Sequence, residues 1–232
     1  MFFGLWDYFL VKNKYVYRAK ISEEKFRLVL RLWCENLPIE TTCRLTNLSK
    51  DSVYRLYRKI QKRVIELALE ESDWRGSQLE IDESYFGPRR VRGKRGRGAG
   101  HKIPVVGLLE RGGKVYVEVI PDCSRKTLEP IVKGRILDET DIYTDSWRAY
   151  KGILVNNKHY RVHHSKNEFA RGKSHVNGIE SFWSYAKSIL RKRNGIKKER
   201  FTFHLKEIEY RFNHRNHDLY GLLLKQIRNK PL

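Results

Sequence analysis

Apolar residues recur at helical spacing through the first third of the chain. Between Glu23 and Glu35, Phe26, Val29, Leu30 and Trp33 fall three and four residues apart, which predicts one amphipathic helix. Pro38 suits the first turn of a second, shorter helix through PIETTCRLT. Asn47 and Ser49 then punctuate the pattern. Ser49 can cap a third helix whose buried stripe is Val53, Leu56, Ile60 and Val64. Helix, short helix, tight turn, helix is the order of a helix-turn-helix. A plain three-helix bundle used for packing or dimerisation has the same order.

From Leu79 the period changes. LEIDESYFG reads as a strand ending at Gly87 and Pro88. The segment from Arg89 to Lys102 is too polar and glycine-rich to pack, and predicts a loop. IPVVGLLE and KVYVEVI are two further strands, and Gly112 and Gly113 between them signal a hairpin. SRKTLEPIVKGRIL is helical in period, with Ser124 as cap. DIYTD is a fourth strand ending at Asp145, SWRAY opens a helix, and a fifth short strand lies around YRVHH. Two helices are expected to finish the chain, the last with Phe201, Leu205, Ile208 and Phe212 on one stripe. The expected fold is therefore α/β: three antiparallel strands, then parallel strands, flanked by helices and preceded by a small all-α domain. The expected division is 1–20 as an N-terminal docking segment, 21–72 as the helix-turn-helix and 78–228 as the α/β domain.

Charge changes this picture. The 232 residues carry a formal net charge of +21 with an ordinary 40% of hydrophobic residues, so a core is available and the surface calls for a polyanionic partner. Nucleic acid is the commonest such partner; ribosome association or a membrane surface would also fit so basic a chain. In a helix-turn-helix the third helix presents its N-terminal residues to base edges. Here those are Lys50, Asp51, Ser52, Tyr54 and Arg55, with Arg58 and Lys59 near phosphate. Seven cations stand in the fourteen residues from Arg89 to Lys102 (Arg89, Arg90, Arg92, Lys94, Arg95, Arg97 and Lys102) with no acid among them, a run suited to tracking a DNA backbone. Arg191, Lys192 and Arg193 form a second cationic run. Cys34, Cys43 and Cys123 are widely spaced, which excludes a zinc ribbon and suits free thiols in a reducing cytoplasm. The apolar opening FFGLWDYFLV is interrupted by Asp7, too short to span a bilayer and without a basic leader, so no membrane role is expected.

Three acids stand out. Asp82 lies inside the first strand, Asp145 ends the fourth, and Glu180 sits early in the amphipathic HVNGIESFWSYAKSILRKRNGI. If the helix between the third and fourth strands is a crossover, the fourth strand can lie parallel to the first and bring Asp82 beside Asp145. Glu83 then points to the opposite face. Three carboxylates at one point repel one another unless cations sit between them, and hard oxygen ligands suit Mg²⁺ or Mn²⁺. Two such ions serve phosphodiester chemistry. Each acid also has a structural explanation. Asp145 can cap the helix begun by SWRAY, Glu180 stands at capping-box spacing from Asn177, and Asp82 can pair with a nearby arginine. His163, His164 and His175 match no standard zinc spacing and suit phosphate contacts or caps better. Trp147, Trp183 and Tyr185 suit core packing, with base stacking as the alternative.

IDESYFG, GKRGRGAGHK, RGGKVY, IYTDSWRAY, HHSKNEF and HVNGIESFWSYAKSILRKRNGI together resemble the DDE-type insertion-sequence transposases, in the small bacterial branch related to Merlin elements. The resemblance runs over nearly the whole chain, and the 34 residues between Asp145 and Glu180 fit the family's spacing. It implies an RNase H-like catalytic domain with Asp82, Asp145 and Glu180 as the metal-binding triad for two Mg²⁺ or Mn²⁺ ions. It also implies roles for Asn177, just before the glutamate, and for Lys187, two helical turns beyond it. A helix cap and a solvated surface are their structural alternatives. The implied activity is cleavage at the terminal inverted repeats of an element and transfer of the 3′-hydroxyls to target DNA. The implied setting is a homodimer or larger synaptic complex on DNA, in the cytoplasm at the nucleoid. Many relatives carry an N-terminal zinc-binding domain, for which this chain has no ligands.

Overall fold

The structure, a computed structural model, describes residues 13–72, 76–87, 102–145, 150, 157–162, 177–193 and 195–232, without the side chains of 138, 145, 161 and 162. In chain order the elements are α1 (Glu23–Cys34), α2 (Ile39–Thr46), α3 (Lys50–Glu70), β1 (Gly76–Phe86), β2 (Ile103–Glu110), β3 (Val115–Val119), α4 (Arg125–Lys133), β4 (Ile136–Asp145), β5 (Lys158–Val162), α5 (Asn177–Arg191), α6 (Phe201–Asn213) and α7 (Leu219–Asn229). They divide into two compact units, residues 1–64 with 215–232, and residues 65–214.

In the first unit the predicted stripes are the buried ones: Phe26, Val29, Leu30 and Trp33 on α1, and Val53, Leu56, Ile60 and Val64 on α3. Ser22 caps α1, its hydroxyl accepting from the Lys25 amide at 3.2 Å, and Glu23 and Glu24 in the first turn suit the positive end of the helix dipole. Asn47 ends α2 in the left-handed region, at φ 52°, a conformation that asparagine tolerates better than most residues. The Ser49 hydroxyl accepts from the Ser52 amide at 3.3 Å and starts α3. Tyr57 ties α2 to α3 by bonding the Thr42 hydroxyl and donating to the Leu37 carbonyl.

Helix α7 belongs to this first unit. Its apolar residues Leu223 and Ile227 are fully buried, and it packs on α1. The Arg31 guanidinium stacks 4.6 Å from the Tyr220 ring centre. Leu232 exchanges backbone hydrogen bonds with Tyr15 and Tyr17 at 2.8 and 3.0 Å, so these two residues are tied to the chain's last residue. Residues 1–12 lie outside the described residues.

The second unit is a mixed sheet in the order β3-β2-β1-β4-β5. β1, β2 and β3 form the expected antiparallel meander, with Gly112 at φ 74° in the predicted hairpin. β4 lies parallel to β1, and β5 parallel to β4. β4 begins earlier than DIYTD: Ile136 already pairs with Gly76, and a bulge there takes up Glu139, whose φ is 64°. The helix expected to begin at SWRAY falls outside the described residues except at Tyr150.

Alternation along β1 builds two cores. Leu79 and Ile81 join Val106, Leu108 and Ile142 with Leu128 and Val132 of α4. On the other face Phe86, Val105, Leu109, Val115, Val117 and Tyr143 are covered by Ile179, Phe182, Trp183, Ala186 and Ile189 of α5 and by Leu205, Ile208 and Phe212 of α6. Glu80 and Asp82 turn toward this second face, beneath α5, and that is how a carboxylate comes to sit inside an apolar strand.

Candidate functional site

The ladder between β1 and β4 pairs Ile81 with Thr144. The next residue on each of these parallel strands is Asp82 and Asp145, so the two lie level on neighbouring strands, and Asp145 is also paired with Val162 of β5. The Asp145 side chain lies outside the described residues. Glu83 points to the other face, as alternation requires, where it accepts a hydrogen bond from the buried Tyr150 hydroxyl.

The helix α5 reaches Asp82 through its own side chains. Trp183 Nε1 donates to Asp82 Oδ2 at 3.0 Å. Asp82 pairs across the sheet with Gly107 of β2, and a Cβ at Gly107 would stand 2.6 Å from the Trp183 ring and 2.9 Å from Ile179. The indole lies where only glycine leaves room for it. Trp183 is thus both core and ligand to Asp82: it is 4% exposed, stacks edge-on to Phe86, and spends its polar edge on the carboxylate. Two residues earlier on the strand, an arginine stands against Glu80. Glu80, only 2% exposed, lies 3.2 Å from Arg111 Nε and accepts from the Ile179 amide at 2.9 Å. Arg111 in turn stacks on Tyr143, 3.4 Å from the ring centre. The first amides of a helix have no intrahelical partner, and a carboxylate there is favoured by the dipole. A Cβ at Gly178 would meet Glu80 Oε2 at 2.9 Å, so the glycine of NGIE lets the helix end come down onto the strand.

Glu180 is exposed in the first turn of α5, one turn before Trp183. Lys187 follows one turn after Trp183, exposed, with Nζ 5.7 Å from the Phe86 ring centre. Glu180, Trp183 and Lys187 therefore run along one stripe of α5, beside Asp82 and Phe86 of β1. Asn177 is the first residue of the helix and is exposed. Tyr185 is half-buried against Phe212.

The expected DNA contacts are divided. Lys50, Asp51, Tyr54 and Arg55 are exposed on the first turns of α3, with Lys50 also 3.1 Å from Glu40. The Ser52 hydroxyl is 2.9 Å from that of Ser49, and Arg58 donates to Gln61 at 2.7 Å. Lys102, Arg191 and Lys192 are exposed. Arg193 turns inward: it holds Glu207 through two bonds of 2.8 and 2.7 Å, and Arg211 reaches the same carboxylate at 2.9 Å. A buried carboxylate between two guanidiniums fixes the end of α5 to α6. Arg89, Arg90, Arg92, Lys94, Arg95 and Arg97 fall outside the described residues, as do Trp147, His163, His164 and His175.

Among the described residues no three histidine, cysteine or acidic side chains gather in a metal cluster. The donors that are described fit a hard cation. Asp82 and Glu180 offer carboxylate oxygens, and the Trp183 bond fixes the Asp82 group as carboxylates that ligate metals are usually fixed. Among the described residues no helix is long and apolar enough to cross a membrane.

Two signals for the missed residues stood in the sequence. Gly107 interrupts an apolar strand, a mark of close approach by another group. Glu80 repeats two residues before Asp82, on the same face of β1.

The chain is 40% identical over 115 residues to an uncharacterized transposase-like protein of Haemophilus influenzae, covering 49% of this chain and 93% of that one. It is 30% identical over 191 residues to an uncharacterized protein in the transposable element ISH50 of Halobacterium salinarum, covering 75% of this chain and 65% of that one. Among solved structures, the Mos1 transposase paired-end complex with left transposon end is similar at a TM-score of 0.29 and 12% identity, over 92% of this chain and 82% of that one. The model of the ISXO2-like transposase domain matches residues 49–213, and the chain belongs to that transposase family.

Proposed function

We propose that the protein is a DDE transposase that cuts the ends of its own insertion sequence and joins them to target DNA. The observation that carries this reading is the seating of α5 on β1 through Trp183 and Asp82, with Glu180 one turn away and Asp145 level with Asp82 on the neighbouring strand. The strand order, with β4 and β5 added parallel beside an antiparallel meander, supports an RNase H-like assignment of the second unit.

Asp82, Asp145 and Glu180 would together hold two Mg²⁺ or Mn²⁺ ions, which when bound supply Lewis-acid activation of the attacking and leaving oxygens. Trp183 keeps the Asp82 carboxylate in one orientation. Lys187, on the same stripe as Glu180, is placed to hold a phosphate of the cleaved strand, and Asn177 to position substrate at the helix start. In the first step a water oxygen bonds to phosphorus and the bond to the 3′-oxygen breaks, giving a 3′-hydroxyl and a 5′-phosphate. In the second, that 3′-hydroxyl attacks a target phosphodiester. A new P–O bond forms, and the target's own 3′-oxygen leaves with the proton.

Recognition of the terminal repeats is assigned to α1, α2 and α3 as a helix-turn-helix. The exposed Lys50, Tyr54 and Arg55 read bases, and the chain's net charge of +21 neutralises the backbone. Two ends must be handled together, so the working form is a homodimer or larger complex on DNA, in the cytoplasm at the nucleoid.

The test is incubation with DNA bearing the element's own terminal repeats, a target plasmid and Mg²⁺. Cleavage exposing 3′-hydroxyls, a joined product, and loss of both in Asp82→Asn are expected. Cleavage without joining would make the protein a nuclease. Specific binding without cleavage would make it a DNA-binding regulator.

A further inference from the structure

Two hydrogen bonds from α5 to β1 have matching spacing. Glu80 and Asp82 are two residues apart on one face of the strand, a rise of about 6.6 Å. Ile179 and Trp183 are four residues apart on one face of the helix, a rise of about 6.0 Å. Glu80 takes the Ile179 amide at 2.9 Å and Asp82 takes the Trp183 indole at 3.0 Å, so helix and strand meet in register at both points. Each contact has its own glycine: Gly178 beneath Glu80 and Gly107 beneath Trp183.

Hydrophobic burial is itself non-directional, and the apolar stripe of Ile179, Phe182, Trp183, Ala186 and Ile189 takes its register from the notch at Gly107 together with the two carboxylate contacts. A buried carboxylate is the costlier choice at Glu80's position, and it is retained with a dedicated partner in Arg111, itself braced on Tyr143. In some proteins such pairs fix one arrangement among several. A slip of one residue would strand the Glu80 charge and rotate Glu180 by about 100° around the helix.

We infer that Glu80 is a positioning residue: together with Arg111 it pins the first turn of α5 to β1 and so sets where Glu180 stands relative to Asp82. This inference rests on the reading of Asp82 and Glu180 as partners in DNA cleavage. Glu80 is only 2% exposed, beneath the first turn of α5. It acts through the helix.

The test uses the full chain as Glu80→Ala, Glu80→Gln and Arg111→Met. Each variant is followed by Mg²⁺-dependent cleavage of terminal-repeat DNA and by the ¹H–¹⁵N signal of the Trp183 indole, assigned with Trp183→Phe. Glu80→Ala and Arg111→Met should slow cleavage by about 10- to 100-fold, the scale of a small misplacement at a reacting centre, and should shift the indole signal. Glu80→Gln keeps an acceptor for the Ile179 amide and should recover part of both. Should Glu80→Ala fail to fold, the Gln and Met variants carry the comparison. Wild-type cleavage with an unmoved indole signal in all folded variants overturns the inference. If the wild type itself does not cleave, the functional reading fails, and the indole signal alone decides whether Glu80 sets the helix.

Discussion

Trp183 donates its indole N–H to Asp82 across 3.0 Å, a contact between a core side chain of α5 and an acid of β1. It links packing to chemistry: the residue that buries the helix also orients the carboxylate.

Replacing Trp183 by phenylalanine keeps most of the apolar contact and removes the donor. If Asp82 holds a metal ion, Mg²⁺-dependent cleavage should fall about 10- to 100-fold, the usual effect of losing a group that orients such a ligand. The loss of one hydrogen bond should cost about 1 kcal/mol of stability. Single-turnover cleavage and urea unfolding measure the two. Full activity in this variant would remove Trp183 from the site.

Gly107→Ala places a methyl group 2.6 Å from the Trp183 ring and 2.9 Å from Ile179. Helix α5 must shift or the ring must turn, at a cost of about 1–3 kcal/mol. A lower urea midpoint is expected, with cleavage reduced beyond what stability explains. Unchanged values of both would show that the indole does not need the space.

A pH dependence follows from His214 and Glu71. Burial alone would lower the His214 pKa, but hydrogen bonds to Glu71 and to the Tyr210 carbonyl outweigh it and raise the value. The His214 bond, helped by Lys114, holds Glu71 below the usual carboxylate range against burial. A raised histidine contributes stability in full below its unfolded pKa of about 6.5 and loses it as pH rises through the folded value. A lowered glutamate contributes above its unfolded pKa of about 4.3 and loses it as pH falls through the folded value. Thermal melts should show a decline above about pH 6.5 that His214→Gln lacks. Parallel curves for the two proteins would contradict the assignment.

Arg55 is exposed on the second turn of α3. If it neutralises a phosphate, Arg55→Gln should reduce the slope of log affinity against log salt by about 0.9. If it reads a base, affinity should fall for the terminal repeat and not for unrelated DNA. Binding isotherms at several salt concentrations separate these, and no effect of either kind would move recognition away from α3.

Much of this was legible because periodicity and hydrophobicity agree. The stripes of α1 and α3, the Gly112 hairpin and the Ser124 cap are local signals, and each is where the pattern placed it. Asp82 stood out because an acid inside an apolar strand needs a reason. What was not legible depends on contacts far apart in sequence. Glu80 and Ile179 are 99 residues apart, and Asp82 and Trp183 are 101. Nothing near Arg193 reveals that Glu207 will claim it. Helix α7, Leu219–Asn229, lies beyond the last helix that the sequence pattern predicts. In the structure a Cβ at Gly221 would meet the Asp218 carboxylate, which folds over the first turn.

Diffraction from crystals soaked in Mn²⁺, using its anomalous signal, tests the metal-holding claim most directly. Density ligated by Asp82 together with Asp145 or Glu180, and lost in Asp82→Asn, is the predicted result. Saturating Mn²⁺ that leaves these carboxylates unliganded, or a Glu180 carboxylate beyond reach of any ion held by Asp82, would contradict it.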